Sequence, residues 1–407
     1  MVGARSRRGG AVLLRSRGGN AHNQIFKGDM TGIRDPKKIL MVQPQLESLD
    51  GHEHTQIKAV QSLLPQSEIA IATRYGFGLS GQIDDLNIMP VLPRGAHFGA
   101  ELKEAVLSTG LTQADLILVP SAGPDEIEAL MAYYEEHADE DSPTAKLRIL
   151  SADILSGCSD VFLDRLRNAC QSGKIKLLTE AEELQAHFED RYGLPIAGQL
   201  NLPCTILPDD PDIEAGKRGF EDVTTIGVLG RQRSEKGSYR IPSIMKHLGR
   251  LTDRHSEKLR IHFLYQAVGT KRLRRLSLEL KTRFNRLANP NITIDFVGSG
   301  LSEQRFRRLV LDADILLLPY NVSRYQFSGS GMIMDGVFAG KPIVCSNGMA
   351  MRNVLSHGNC EQATSDEEFA EKLLMVATNK AKYDEGAAIA ASFAADLLVA
   401  SARNLRD

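Results

Sequence analysis

Short apolar runs separated by longer amphipathic stretches constrain this chain more than any other feature. Ile39–Val42, Ile69–Ala72, Leu116–Val119, Ile175–Leu178, Thr225–Leu229, Ile261–Leu264, Ile292–Val297, Ile315–Leu318 and Ile343–Cys345 each end at polar or turn-forming residues. Runs of this length without alternation read as parallel strands buried on both faces. Helical patterns between them supply the crossovers, so the fold class is α/β with parallel sheets covered by helices.

An internal echo adds topology. Ala114-Asp115-Leu116-Ile117-Leu118-Val119-Pro120 returns in kind as Ala313-Asp314-Ile315-Leu316-Leu317-Leu318-Pro319. The repeat predicts two Rossmann-like halves facing each other rather than one continuous doubly wound sheet. A length of 407 residues also exceeds what one ordinary core organises. Pro208 to Gly219 is rich in Pro, Gly and charge and reads as the break. The expected organisation is a leader over 1–35, an N-terminal half over 36–207 and a linker over 208–221. A C-terminal half over 222–378 follows, and a helix over 379–407 packs back on the first half.

The leader carries Arg5, Arg7, Arg8, Arg15 and Arg17 among glycines and lacks the apolar core of a secretory signal. It reads as a disordered leader or as a misplaced start. A formal charge of -2 gives no reason to expect nucleic acid as partner. Cys158, Cys170, Cys204, Cys345 and Cys360 form no pair with zinc spacing and read as reduced cytosolic thiols. No unbroken run of about 18 apolar residues occurs, so a cytoplasmic protein, at most peripheral to a membrane, is expected. Lys271 to Leu287 is basic with a leucine stripe; it reads as core with solvated cations, or as a contact with an anionic membrane surface.

In open parallel sheets, ligands bind beyond the carboxyl ends of the strands. Two loops there stand out. Gly230-Arg231-Gln232-Arg233-Ser234-Glu235-Lys236-Gly237 offers two cations and two glycines, or is simply a solvated loop. Ser328-Gly329-Ser330-Gly331 opens a helical pattern whose first N–H groups can receive an anion, or forms an ordinary serine N-cap.

The ordered series Gly230-Arg231, Lys236-Gly237, Val297-Gly298-Ser299-Gly300, Ala313 to Tyr320, Ser328 to Gly331 and Ala339-Gly340-Lys341-Pro342-Ile343-Val344 resembles the C-terminal domain of retaining GT-B glycosyltransferases. The nearest likeness is to the family 4, or group 1, type, over roughly residues 222–378. Gly51-His52-Glu53 and Thr179-Glu180 to Gly193 resemble the partner domain more weakly. The resemblance implies a hexosyltransferase that moves sugar from a nucleotide diphosphate sugar to a glycan, lipid-linked or small-molecule acceptor, with retention and without metal or other cofactor. It implies that Arg231 and Lys236 hold the donor diphosphate and that Ser328, Gly329, Ser330 and Gly331 supply N–H donors to it. Gly230, Gly298, Gly300 and Leu301 would line the nucleotide, and Asp335 would face the ribose. The chain departs from the family pattern where its first paired acid would fall, at Phe327, and in the shortened Asp335.

Other candidates compete. Gly51, His52 and Glu53 open a helix after the first strand and could orient acceptor or donor sugar, or form an ordinary helix start. Ser121, after the echoed strand, is a cleft-facing candidate or a turn residue. Asp139-Glu140-Asp141 and Asp312-Ala313-Asp314 look like metal-binding pairs but lie away from the ligand edge, so no metal ligand is expected. A non-catalytic sugar-nucleotide or glycan binding protein of the same fold, and an epimerase, are the alternatives.

Overall fold

The computed structural model describes residues 35–46, 52–75, 81–83, 86–93, 98–137, 141–208, 212–215, 223–254, 259–266, 289–298 and 301–407. The leader up to residue 34, Gly51, Asp139 and Glu140, most of 208–221, the basic stripe Lys271 to Leu287, and Ser299 and Gly300 lie outside them.

The first half contributes β1 (Lys38–Val42), β2 (Glu68–Arg74), β3 (Gly81–Ile83), β4 (Leu86–Leu92), β5 (Leu116–Val119), β6 (Thr144–Ile149), β7 (Ile175–Thr179) and β8 (Ile196–Gln199). The second contributes β9 (Val223–Val228), β10 (Arg260–Gln266), β11 (Ile292–Val297), β12 (Ile315–Leu318), β13 (Ile343–Ser346) and β14 (Cys360–Ala363). They form two sheets, ordered β3-β4-β2-β1-β5-β6-β7-β8 and β11-β10-β9-β12-β13-β14. Among the described residues every strand pairing is parallel except the short β3–β4 hairpin at one edge. In both sheets the order reverses beside the first strand, between β1 and β5 and between β9 and β12, which opens a crevice at the carboxyl edge.

β12 shows why unalternated runs fold this way. Ile315 and Leu317 enter one apolar cluster with the helices Ile241–Arg254 and Asp366–Thr378, whereas Leu316 and Leu318 enter the other. Both faces are dry, so both need apolar side chains. The echo has its own cause. Asp115 accepts the Lys38 N–H at 2.9 Å at the start of β1, and Asp314 accepts the Thr225 N–H at 2.8 Å in β9. Each half uses an aspartate ahead of its fourth parallel strand to tie down the first.

The larger apolar cluster runs from the first sheet through Leu202 and Ile206 into Met332, Met334 and Phe338 of the second half. The halves therefore share buried surface. The helix Lys380–Arg406 spans both. Tyr383 donates to Glu361 at 2.6 Å near its start; near its end Asn404 donates to the Gln199 carbonyl at 2.7 Å and Ser401 accepts the Asn201 N–H at 2.8 Å. Among the described residues this helix is long and apolar enough on average to cross a bilayer, although no unbroken apolar run marks it. Its Ala387, Ala390, Ala394, Leu398 and Leu405 are buried against the protein.

Candidate functional site

The loop after β9 turns at Gly230, whose φ of +86° is one that side-chain-bearing residues rarely adopt. Its N–H donates to Gln266 Oε1 at 2.7 Å, at the end of β10. The 3-10 turn Ser234–Lys236 then closes on Gly237, at φ +66°. A β-carbon there would lie 1.9 Å from the Pro319 carbonyl oxygen, so the backbone approach admits glycine alone. Asn321 N–H donates to the Glu235 carbonyl at 2.7 Å, lacing this turn to the loop after β12.

That lacing aims Lys236. Its Nζ lies 5.2 Å over the Tyr320 ring and 3.1 Å from where a β-carbon on Gly230 would stand. The same point is 3.3 Å from Met332 Cγ, in the first turn of the helix Gly331–Phe338. Burial holds the Lys236 ammonium below the usual lysine range; Tyr325 opposes that shift and Arg233 adds to it. Arg231 is exposed and pairs with no described side chain.

Ser330 occupies the N-cap of Gly331–Phe338, but its hydroxyl does not cap the helix. Its own N–H points to Met351 Sδ at 3.2 Å. The helix start thus keeps N–H groups unsatisfied by a serine side chain, with the partial positive charge of the helix end behind them. A β-carbon on Gly298, just after β11, would meet no described residue within 4 Å; Leu301 precedes Ser302, which caps Glu303–Asp312 by accepting the Arg305 N–H at 3.3 Å.

The first half presses directly on this helix start. Ser328 Oγ donates to Ser151 Oγ at 3.2 Å. A β-carbon on Gly329 would lie 1.9 Å from Glu180 Oε1, and one on Gly331 2.6 Å from Cys204 Sγ. Burial pushes the Glu180 carboxyl up, against the pull of Arg148. Arg148 is 1% exposed and donates to the Pro120 carbonyl at 2.6 Å and the Leu200 carbonyl at 3.4 Å. Burial raises the Cys204 thiol well above its ordinary range, with Asp335 and Glu180 adding to it.

His52 opens the helix His52–Leu63 beside this group. Burial, then the Arg148 charge, holds its imidazole below the usual range, so the ring is neutral at pH 7. The Gln56 amide lies 3.0 Å from its Nε2, and Gln43 donates to Gln56 at 3.4 Å. Glu53 sits in the first turn of the same helix. Ser121 follows β5 beside Ala122, whose N–H donates to the Arg148 carbonyl at 2.9 Å.

Asp335 stands deep in the site rather than at its surface. It is 2% exposed, and Oδ1 accepts the N–H groups of Thr205 and Ile206 at 2.8 and 3.0 Å. Burial pushes its carboxyl up to about 7 against those bonds. At Phe327, where the family motif would carry an acid, the ring stacks on His187 of the first half at 4.3 Å.

The structure thus brings together Lys236, Gly230, Ser328, Gly329, Ser330, Gly331 and, through Cys204 and Arg148, His52; Arg231 is exposed, and Ser121 is placed only beside Ala122. Sequence reasoning misses Arg148 and Cys204, and it gives Glu180 no role. The available signal is a pair of charges, Lys146 and Arg148, inside the otherwise apolar stretch Ala145–Ile149.

No protein-family profile and no curated protein matches this chain. Solved structures do match it in shape. HepE from Anabaena, crystallised in complex with UDP and glucose, superposes with a TM-score of 0.60 at 14% identity, over 89% of this chain and 97% of that one. Sucrose-phosphate synthase from Thermosynechococcus elongatus gives 0.60 at 12% identity, over 90% and 96%. A UDP-forming trehalose-phosphate synthase from Burkholderia xenovorans gives 0.61 at 11% identity, over 91% and 99%. With its two parallel-strand sheets, interleaved helices and crevice between the halves, the chain has the GT-B fold.

Proposed function

We propose that this chain transfers a glycosyl group from a nucleotide diphosphate sugar to an acceptor hydroxyl, with the diphosphate held by the second half. The observation that carries the reading is the convergence of Lys236 Nζ and the Met332 side chain, in the first turn of Gly331–Phe338, on one side of Gly230. Breaking a bond from anomeric carbon to phosphate places growing negative charge on the leaving diphosphate. A fixed ammonium and aligned N–H groups stabilise that charge without reorganising. Arg231, exposed on the same loop, would close on the outer phosphate.

The UDP and glucose held by HepE, a neighbour in fold, support a sugar nucleotide as donor. Retention of configuration and independence of metal belong to the same proposal. A donor phosphate oxygen would take the acceptor proton, and Lys236, Arg231 and the helix start would carry the charge otherwise assigned to a divalent ion. Neutral His52 and Ser121 would line the acceptor side, while Gly298 and Leu301 would flank the nucleobase. Soluble operation, with the acceptor reaching the cleft from solution or from a membrane surface, fits this scheme.

The test is a panel of UDP-, GDP- and ADP-sugars assayed for thermal shift and for release of the nucleoside diphosphate, with and without EDTA. A bound donor should raise Tm, and its turnover should survive chelation. Binding without turnover on any acceptor would favour a non-catalytic sugar-nucleotide binding protein. Phe327 stacked where the family motif has an acid, and Asp335 tied to the Thr205–Ile206 backbone, are the observations that speak for that second reading.

A further inference from the structure

The position of Glu180 is not explained by packing. It follows β7, reaches across the cleft and is 13% exposed. Its described ion pair is with Arg148, at 3.9 Å, the long limit of such a contact. No hydrogen bond from a described residue reaches its carboxylate. A carboxylate withdrawn from water this far is costly unless something compensates. What lies against it is the Gly329 backbone, with a would-be β-carbon 1.9 Å from Oε1 and 2.3 Å from Cδ. Gly329 leads straight into the uncapped helix start at Gly331. The carboxylate thus lies beside Gly329, two residues ahead of the helix start at which the proposed function seats a phosphate.

The two anions exclude each other. Unit charges 4 Å apart in water repel by about 1 kcal/mol, and more in a cleft partly closed to water. Cys204, with its Sγ against Gly331, narrows the space through which the carboxylate could slide aside. Arg148, held by Pro120 and Leu200 carbonyls, stays behind as a fixed cation on which Glu180 can fall back.

We propose that Glu180 is the internal competitor of the donor diphosphate: its carboxylate lies against Gly329, at the approach to the helix start, and is displaced when a nucleotide diphosphate enters. The inference rests on the sugar-nucleotide reading of the cleft. Displacement moves Glu180 toward Arg148 and loosens the contact between the halves. Departure of the nucleoside diphosphate lets the carboxylate return, so the same residue favours product release.

The experiment is calorimetric titration of the full chain and of Glu180→Gln with UDP, GDP, ADP, inorganic pyrophosphate and the bare nucleosides. Glu180→Gln keeps the shape and removes the charge, so it should bind the preferred nucleoside diphosphate and pyrophosphate roughly fivefold or more tightly than the wild type, that being about 1 kcal/mol of relieved repulsion. Affinity for the bare nucleoside should not change. Equal or weaker diphosphate binding by the variant overturns the inference, as does an equal gain for the nucleoside, which would mean mere opening of the cleft. If neither protein binds any diphosphate, the sugar-nucleotide reading fails and this one with it. Should Glu180→Gln not fold, Glu180→Asp, which draws the charge back from the seat by one methylene, decides by the same criterion.

Discussion

The ring of Phe327, in the second half, lies 4.3 Å from the imidazole of His187, in the first, with 26° between their planes. This stack sits beside the other cross-cleft contacts, Ser328 with Ser151 and Arg324 with Asp153. An aromatic pair of this kind contributes about 0.5–1.5 kcal/mol beyond its buried area. Phe327→Ala should therefore shift the chain toward an open arrangement. Small-angle scattering of the ligand-free protein should show a larger radius of gyration; an unchanged radius would show that the remaining contacts suffice.

Lys236 and Arg231 differ in placement, and their variants should differ in effect. Lys236→Met removes the cation beside Gly230 that the proposed function assigns to the diphosphate and should lower turnover by roughly 100- to 1000-fold, the usual cost of one preorganised donor. Arg231→Ala, at an exposed site, should cost less and show a stronger dependence on salt. Steady-state kinetics with circular dichroism as a fold control checks both. Equal losses would contradict the geometry.

Gly237 tests the lacing of the two loops. Gly237→Ala adds a β-carbon 1.9 Å from the Pro319 oxygen at a backbone φ of +66°. Left-handed strain alone is on the order of 1 kcal/mol, and the clash must be relieved by moving the turn. The expected outcome is a lower Tm together with a turnover loss close to that of Lys236→Met, because Lys236 is the adjoining residue.

Asp335 predicts a pH effect. Its folded carboxyl is raised to about 7 from the ordinary 3.8, so in that window the folded state binds more protons than the unfolded one. Its contribution to stability is present below the unfolded value and is lost as pH rises through about 7. Asp335→Asn cannot ionise, yet it keeps an acceptor for the Thr205 and Ile206 N–H groups. Between about pH 5 and about pH 8 the wild type should lose stability relative to this variant, on the order of 2 kcal/mol, in urea titrations. A parallel pH response would show that Asp335 is ionised throughout.

Legibility in the sequence followed the dryness of each strand. β5 and β12 are unbroken apolar runs, and the α/β class could be read from them and their neighbours. β6 was not recognisable because it carries Lys146 and Arg148, which the fold buries at 2% and 1% exposure by handing their charges to carbonyls. β8, with Ala197 and Gly198 at its centre, lacks an apolar signature and is held by the pairing with β7 and by Asn404. The glycine-opened helix start was legible, because Ser and Gly at that spacing have local meaning. The pressure of Glu180 and Cys204 on it was not, because contacts between residues so far apart in the chain leave no periodic trace.

Hydrophobic period and turn chemistry act over a few residues, so the sequence by itself determined the parallel sheets, the echo of two halves and the glycine-rich loops at the strand ends. Only the tertiary structure decided which groups meet in the cleft. It set Lys236 and Met332 on one side of Gly230, sent Asp335 to the Thr205–Ile206 backbone and placed the Glu180 carboxylate against Gly329. The reason is physical: a buried charge is placed by the partners it can find in three dimensions, and those partners come from the opposite half of the chain.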